Sequence, residues 1–525
     1  MKGNIRTYLS SRINLYFLVI FLIIFFGALL RIYALFHNWS IGNDDARDVI
    51  IASAALGKGE FPLIGPFSSA GPFVTGPIYY WFLMAGLAVL PFGLVSSWIL
   101  LLILSIANIA VFIYIGYLLR GKRLSILLGL FSAASFLLIS LSLNLTNPTF
   151  ILLITSLLIL FFILFIQKKK VIYAFICGLI IGIALNMHYQ AINLLIFIPF
   201  LLLVSGITWK RKILALILSI SGLIIPLLPI LWWDSHQNFS NINNILDYLL
   251  IAQYRIYVPN SWKIFIFTDM TQLWGDIIGG SKIFGLLSMF IVGLTSLLIV
   301  VRFKKIKKLQ AVYLLPVMFF IMLFVNRFYH AQRSEVYLLY LCPFVLLSVA
   351  MSFDLLLDRR IFSKNKFITY GIYLVILMLM IGNLFMITSY FIKYKGNTAT
   401  FTKSAEYLKT KYPNTKFSLY DRHGSSTSIS LPLSLILSRQ NLESSEGRKI
   451  AVDCIPSKVC KYGVKPIGFV GGFPLAEIST FSAKELKKEY QNVDATVVYD
   501  SLIGWSHKYA LTHTFYLKDY ILEKF

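Results

Sequence analysis

Hydrophobic residues along the chain gather into long unbroken runs separated by short polar stretches. The runs are 15–36, 95–119, 124–141, 149–166, 171–187, 190–205, 212–231, 284–303, 310–326, 335–355 and 366–392. A bilayer core about 30 Å thick takes roughly 20 apolar residues of helix, so each run reads as a membrane span. One more run, Ile78 to Pro91, has only about 14 residues, short of a full crossing. The pattern changes after about Tyr394, where polar residues mix with short helical and strand-like stretches at Thr402–Lys411, Lys416–Tyr420 and Ala495–Tyr499. The expected fold is an all-α polytopic membrane domain of about 11–12 helices over residues 1–393, followed by a small soluble α+β domain over residues 394–525.

The polar stretches carry the orientation. Basic clusters lie at Lys2/Arg6/Arg12, Arg120/Lys122/Arg123, Lys168–Lys170, Lys210–Lys212, Arg302–Lys308 and Arg359–Lys366. Positive charge stays on the cytoplasmic side, which places the N-terminus there. The clusters alternate correctly if 78–91 is a half-crossing or interfacial helix. The outer face then collects loop 37–76, the Asn144–Thr149 turn, the turn at His188, Tyr189 and Gln190, loop 232–282, loop 326–334 and the C-terminal domain. The first run is too long for the core of a signal peptide and lacks a small-residue cleavage site, so it reads as a permanent span.

Composition agrees. The 525 residues are 58% hydrophobic and 14% charged, where soluble domains carry about 25% charged residues. The net charge of +25 sits in clusters between apolar runs. That is the pattern of a chain facing a bilayer and lipid phosphates, with no nucleic-acid groove. Cys177 and Cys342 lie in apolar runs, while Cys454 and Cys460 in the polar tail are candidates for a disulfide. No Cys/His spacing suggests a metal site.

Acids are scarce and unevenly placed. Asp44, Asp45, Asp48 and Glu60 are the only carboxylates before Asp234. All four lie in the first outer loop. An Asp or Asn before an amphipathic stretch starts a helix and Gly just beyond stops it, so 45–56 reads as a surface helix ending at Gly57 and Gly59. Asp44 and Asp45 then stand at its start. A carboxylate in a poorly hydrated cavity can serve as a general base near neutral pH. A second acid would raise its pKa or share a divalent cation, and an arginine such as Arg47 suits a phosphate. The plainer alternative is that Asp44 caps the helix and its neighbours are solvated. Asp48 would orient Arg47 or the helix, and Glu60 would be a solvated loop residue.

These residues carry a family resemblance. An N-terminal span, an outer loop with an acidic pair, a surface helix ending Gly57-Lys58-Gly59-Glu60-Phe61-Pro62 and then Gly76-Pro77-Ile78-Tyr79-Tyr80-Trp81 resemble the GT-C membrane glycosyltransferases, especially the protein mannosyltransferase and aminoarabinose transferase branch. Asn147-Pro148, His188-Tyr189-Gln190 and the Trp233–Phe239 stretch extend the likeness over about residues 10–355. Asn147 departs from members with Asp before that proline, which bears on a second acidic ligand. The resemblance implies an inverting transfer of a hexosyl or pentosyl group from a polyprenyl-phosphate sugar donor to a hydroxyl of a lipid, glycan or protein acceptor. It casts Asp44 as base and Asp45 as its partner, second acid or ligand of a divalent cation. It makes Arg47, His188, Arg327, His330 and Arg333 candidates for the donor phosphate. Tyr79, Tyr80, Tyr189, Gln190 and Asp234 are further substrate-binding candidates, with His236 beside Asp234. Simpler roles compete: an interfacial turn at 188–190, headgroup contacts for Arg327 and Arg333, a structural hydrogen bond for Asp234 and a cap for Glu335. A transporter or flippase of lipid-linked sugars is the rival from another class; it would carry ionisable residues within its spans.

Overall fold

The structure is a computed structural model that describes residues 2–492 apart from 69–70, 252–257, 302–310, 332, 334, 359–365, 423–426, 445, 453–465, 471–472 and 478–489. Cys454, Cys460, the expected strand at 495–499 and most of the basic clusters at 302–308 and 359–366 lie outside the described residues. The helices are α1 (Lys2–Asn38), α2 (Asn43–Lys58), α3 (Ile78–Val89), α4 (Ser96–Arg120), α5 (Lys122–Ala134), α6 (Phe136–Leu141), α7 (Ile151–Lys168), α8 (Ile172–Met187), α9 (Phe197–Leu202) and α10 (Trp209–Ser235). They continue with α11 (Ser240–Leu250), α12 (Ser261–Ile264), α13 (Met270–Ile278), α14 (Lys282–Val301), α15 (Ala311–Val325), α16 (Cys342–Leu356), α17 (Lys366–Lys393), α18 (Thr398–Lys411) and α19 (Thr427–Arg439).

Among the described residues, six helices are long and apolar enough to cross a bilayer, and Ser261–Ile278 with Lys282–Leu297 forms a pair bent by 94°. Several expected spans are therefore not single straight helices. The run 190–205 begins as a 3₁₀ segment over Tyr189–Ile196 before α9. The expected outer loop 232–282 contains α11, α12 and α13. The short run at 78–91 is α3, whose 12 residues span only about 18 Å.

The run 124–141 breaks at Ser135, whose backbone is extended between α5 and α6. Groups freed by such a break have no water to turn to in hydrocarbon. Arg31, a charge inside the first span, donates to Ser132 O at 3.1 Å and Ala133 O at 3.0 Å, and through Nε to Ser105 Oγ at 2.9 Å. On the other side of the break, Asn383 Oδ1 accepts from Phe136 N at 3.2 Å. The same amide donates to Ile278 O at 2.6 Å, where the bent pair turns. One side chain of α17 thus mends two interrupted helices.

Close packing holds α8 to α10. Gly178 and Gly182 lie one turn apart, and Gly222 faces them. A Cβ on Gly178 would stand 1.8 Å from Ser219 O, and one on Gly222 would stand 2.3 Å from Phe175 O. Small residues at this spacing let membrane helices touch backbone to backbone.

On the opposite face from the first loop, the ends of α4, α5 and α16 are tied by charge. Arg120 and Arg123 both grip Asp354, Arg120 also reaches Asp358 at 2.9 Å, and Arg123 donates to Asp354 O at 2.8 Å and Leu357 O at 3.0 Å. These contacts bring the start of α5 and the end of α4 against the end of α16.

After α17 the chain forms the expected small α+β unit. Strands β1 (Phe417–Arg422), β2 (Arg448–Val452), β3 (Gly468–Val470), β4 (Phe473–Glu477) and β5 (Tyr490–Asn492) are ordered β3-β4-β2-β1-β5, with β1 parallel to β2 and the other pairs antiparallel. The parallel pair is joined through α19, which packs against α2.

Gly178→Ala forces α8 and α10 apart. It is expected to destabilise the purified protein by about 1–3 kcal/mol, as overpacking does, read as a lower thermal unfolding temperature.

Candidate active site

Helix α2 starts two residues earlier than its sequence pattern predicts. Gly42 is its N-cap, and the Gly42 N–H donates to Asp45 Oδ2 at 3.2 Å. Gly59 ends it with φ +68°, a left-handed conformation that glycine takes without strain. Glu60 is exposed beyond that stop.

This start separates the two leading acids. Asp45 turns into the protein and is buried, while the Asp44 side chain remains 64% exposed and borders a cavity of about 840 Å³. The pair does not converge as two ligands on one side of the helix. Among the described residues no group of three or more His, Cys, Asp or Glu is placed to hold a metal ion.

Arg47 links an exposed acid to a buried one. Its Nη1 donates to Asp44 Oδ1 at 2.7 Å, its Nε to Asp48 Oδ1 at 2.8 Å and its Nη2 to Asp48 Oδ2 at 3.1 Å. Tyr80 adds a bond to Asp48 Oδ1 at 3.2 Å. Burial opposes the Arg47 charge, but Asp48, Tyr80 and Asp44 outweigh it and raise its pKa above the ordinary value. Asp48 holds Arg47, one of the two roles its place in the sequence suggested.

The cavity draws on segments far apart in the chain. Residues 65–68 and 71–76, paired antiparallel at Phe67 and Val74, form one wall. It is closed by Ser68 N to Phe73 O at 3.0 Å and Gly65 N to Thr75 O at 2.8 Å. It is pinned by Gly76 N to Asn186 O at 3.1 Å, Val74 N to Asn241 Oδ1 at 2.9 Å and Tyr189 OH to Val74 O. The turn Thr146–Pro148, residues 188–190 and 192–193, part of α11, and residues 325, 326, 328, 329, 333 and 336–338 supply the rest. Asn147 lines the cavity with its amide donating to Met187 O at 2.6 Å. His188 Nδ1 accepts from Gln190 N at 3.3 Å, and its ring lies 5.1 Å from that of Tyr337. Burial holds the His188 imidazole below its ordinary pKa, so a neutral ring carries its proton on Nε2.

Asp44, Arg47, His188, Tyr189, Gln190 and Arg333 thus meet around one space. Most of the Arg333 donors are spent on backbone: Nη1 on Ser261 O at 3.0 Å, Nη2 on Asn326 O at 2.7 Å and on Tyr329 O. The other candidates lie elsewhere. Tyr79 is buried and donates to Leu145 O at 2.6 Å, and Tyr80 reaches the site only through Asp48. Asp234 accepts from Asn241 N at 2.8 Å and Ile242 N at 3.0 Å, fixing the start of α11. His236 bonds back to Trp232 O at 2.8 Å. Arg327 is exposed and lies 5.5 Å from the Trp262 ring centre. His330 contributes a carbonyl to Val258 N at 3.0 Å rather than a cavity wall. The sequence reading missed Asn193, Asn326 and Tyr337. Tyr340 OH receives amide bonds from Asn193 at 2.9 Å and Asn326 at 2.5 Å.

This arrangement of helices and loops is the GT-C fold of membrane glycosyltransferases, and the chain is a multi-pass membrane protein. Residues 74–233 match the family described as dolichyl-phosphate-mannose-protein mannosyltransferase, in accord with the resemblance drawn from the sequence. Among solved structures it is similar to ArnT from Cupriavidus metallidurans bound to undecaprenyl phosphate, with 12% identity, a TM-score of 0.57, and coverage of 90% of this chain and 99% of that one. The apo state of ArnT gives 12% identity, a TM-score of 0.59, and coverage of 89% and 98%. AglB from Archaeoglobus fulgidus, an oligosaccharyltransferase in complex with an inhibitory peptide and a dolichol-phosphate, gives 12% identity, a TM-score of 0.50, and coverage of 76% and 58%. No curated protein matches by sequence.

Burial pushes the Asp45 carboxyl up from 3.8 to about 7, with Asp48 and Asp44 adding to the rise and the Gly42 N–H opposing it. A carboxyl raised in the folded state contributes stability below its unfolded pKa, and that contribution fades as pH rises through the folded value. Asp45→Asn should therefore flatten the loss of thermal stability between pH 3.8 and about 7. An unchanged pH slope would show that Asp45 does not titrate in this window.

Proposed function

We propose that this protein transfers a hexosyl or pentosyl group from a polyprenyl-phosphate donor to a hydroxyl acceptor at the extracytoplasmic face, with inversion, and that Asp44 is the general base. The observation that carries the reading is the position of Asp44. It is the one acid among the described residues lining the cavity, and one of its oxygens is anchored by Arg47. A space of about 840 Å³ is in the range that encloses small-molecule substrates. The undecaprenyl phosphate bound to ArnT supports a polyprenyl carrier.

Asp44 takes the acceptor hydroxyl proton as that oxygen attacks the anomeric carbon. The bond from that carbon to the phosphate oxygen breaks on the opposite side. Polyprenyl phosphate departs with the bonding electrons. Negative charge grows on the leaving phosphate, and Arg47 and His188 border the cavity with N–H groups that suit it. Asp48, paired with Arg47 and buried, sets the guanidinium plane and leaves catalysis to Asp44. The acceptor is a lipid, glycan or protein hydroxyl.

The test uses the purified full chain and a panel of radiolabelled polyprenyl-phosphate sugars. Asp44→Asn is expected to lower transfer by about 10²–10⁴-fold, the usual contribution of a general base. Full retained transfer would remove Asp44 from that role.

Orientation has its own measurement. A cysteine replacing Ser68 should react with an impermeant maleimide from outside the cell, and one replacing Lys122 should not. The reverse pattern would invert the topology.

A further inference from the structure

The loop that delivers Asp44 is held by a side chain more than 350 positions away. Between the end of α1 at Asn38 and the N-cap Gly42 lie only Trp39, Ser40 and Ile41. Gly42 O accepts from Ala46 N at 3.0 Å, the first turn of α2, so the backbone of Ile41 sets where that helix starts. Asn397 grips Ile41 in both directions. Its Oδ1 accepts from Ile41 N at 2.9 Å, and its Nδ2 donates to Ile41 O at 3.0 Å.

Neighbouring contacts reinforce the grip. Asn397 N donates to Ser40 Oγ at 3.1 Å, and Thr398 Oγ1 donates to Trp39 O at 2.9 Å. Gly396 runs so close that a Cβ there would stand 1.9 Å from Trp39 O. Asn397 is also the N-cap of α18, the first helix of the C-terminal unit.

We propose that Asn397 is a positioning residue for Asp44, and that the C-terminal unit supports the reaction by fixing the loop 39–42. The proposal rests on the reading of Asp44 as base. A carboxylamide of this length matches one backbone residue as a strand neighbour would, donating and accepting at once. Asp in its place keeps the acceptor and loses the donor, while Ala loses both. Because reacting atoms must be held closely, a small displacement of a base costs rate rather than binding.

The experiment compares wild type, Asn397→Ala, Asn397→Asp, Asp44→Asn and the double variant Asn397→Ala/Asp44→Asn, each as the full chain. The probes are undecaprenyl phosphate for binding and mannosyl-phosphoundecaprenol, or the panel sugar that supports turnover, for rate. Hydrogen exchange of the amides at 41–48 is followed by mass spectrometry. Asn397→Ala should speed exchange at 41–48 and lower kcat by about 10–100-fold. KM for the donor and the affinity for undecaprenyl phosphate should stay within about twofold, and Asn397→Asp should fall between wild type and Ala. In the Asp44→Asn background the Ala change should cost no further rate. An unchanged kcat, or an equal fractional loss in both backgrounds, would overturn the proposal. If Asp44→Asn alone keeps full turnover, the base assignment falls instead, and exchange at 41–48 still decides whether Asn397 orders the loop.

Discussion

Hydrocarbon gives a broken helix nothing to bond to, and two interruptions among the described residues are built around that constraint. Each unpaired amide or carbonyl at membrane depth costs several kcal/mol. The break at Ser135 is tolerated because Arg31 takes two carbonyls and Asn383 takes an amide. The bend near Ile278 is tolerated because the same Asn383 donates there. Arg31 is a buried cation bonded to serine and carbonyl oxygens, which suits a helix-mending role more than a transport pathway. Straight spans build walls, whereas interrupted ones turn chain segments inward.

The polar groups of the cavity sit on turns and short helices. Several have a second attachment. Asn147 is tied to Met187, His188 to Gln190, Tyr189 to Val74, and Arg333 to three carbonyls. The series Tyr80, Asp48, Arg47, Asp44 runs from buried to exposed, so rigidity passes outward along charge-assisted bonds. The side chain proposed as base is the last in the series, the most hydrated, and the best placed to meet a mobile acceptor.

Much of this was legible in the residues because membrane solvation writes plainly. Apolar runs located most helices, and the scarcity of acids drew attention to the start of α2, where Asp44 and Arg47 border the cavity. Interruptions were less legible. Ser135 lies in a run as apolar as any other, and the break there is met by its own cap on Leu138 N and by Arg31 and Asn383 on its neighbours. The direction of each acid was also hidden. Asp44 and Asp45 are adjacent and chemically alike, and one residue of helical phase, set by Gly42 as N-cap, turns one outward and the other inward. Asp234 stands in a polar stretch that reads equally as a site or as a structural hydrogen bond, and its carboxylate holds the start of α11. No spacing in the sequence could pair Asn397 with Ile41.

The cluster on the far face has a consequence for biogenesis. Asp354 is buried and is gripped by Arg120 and Arg123 from a hairpin inserted more than 200 residues earlier. A chain that threaded α16 in the wrong direction would carry Asp354 to the other side, away from both partners. Neither arginine would then have this partner, and the ends of α4, α5 and α16 would lose the contacts that tie them. The ion pair thus ties a late segment of the chain to an early one, and it closes only when both have finished on the same side.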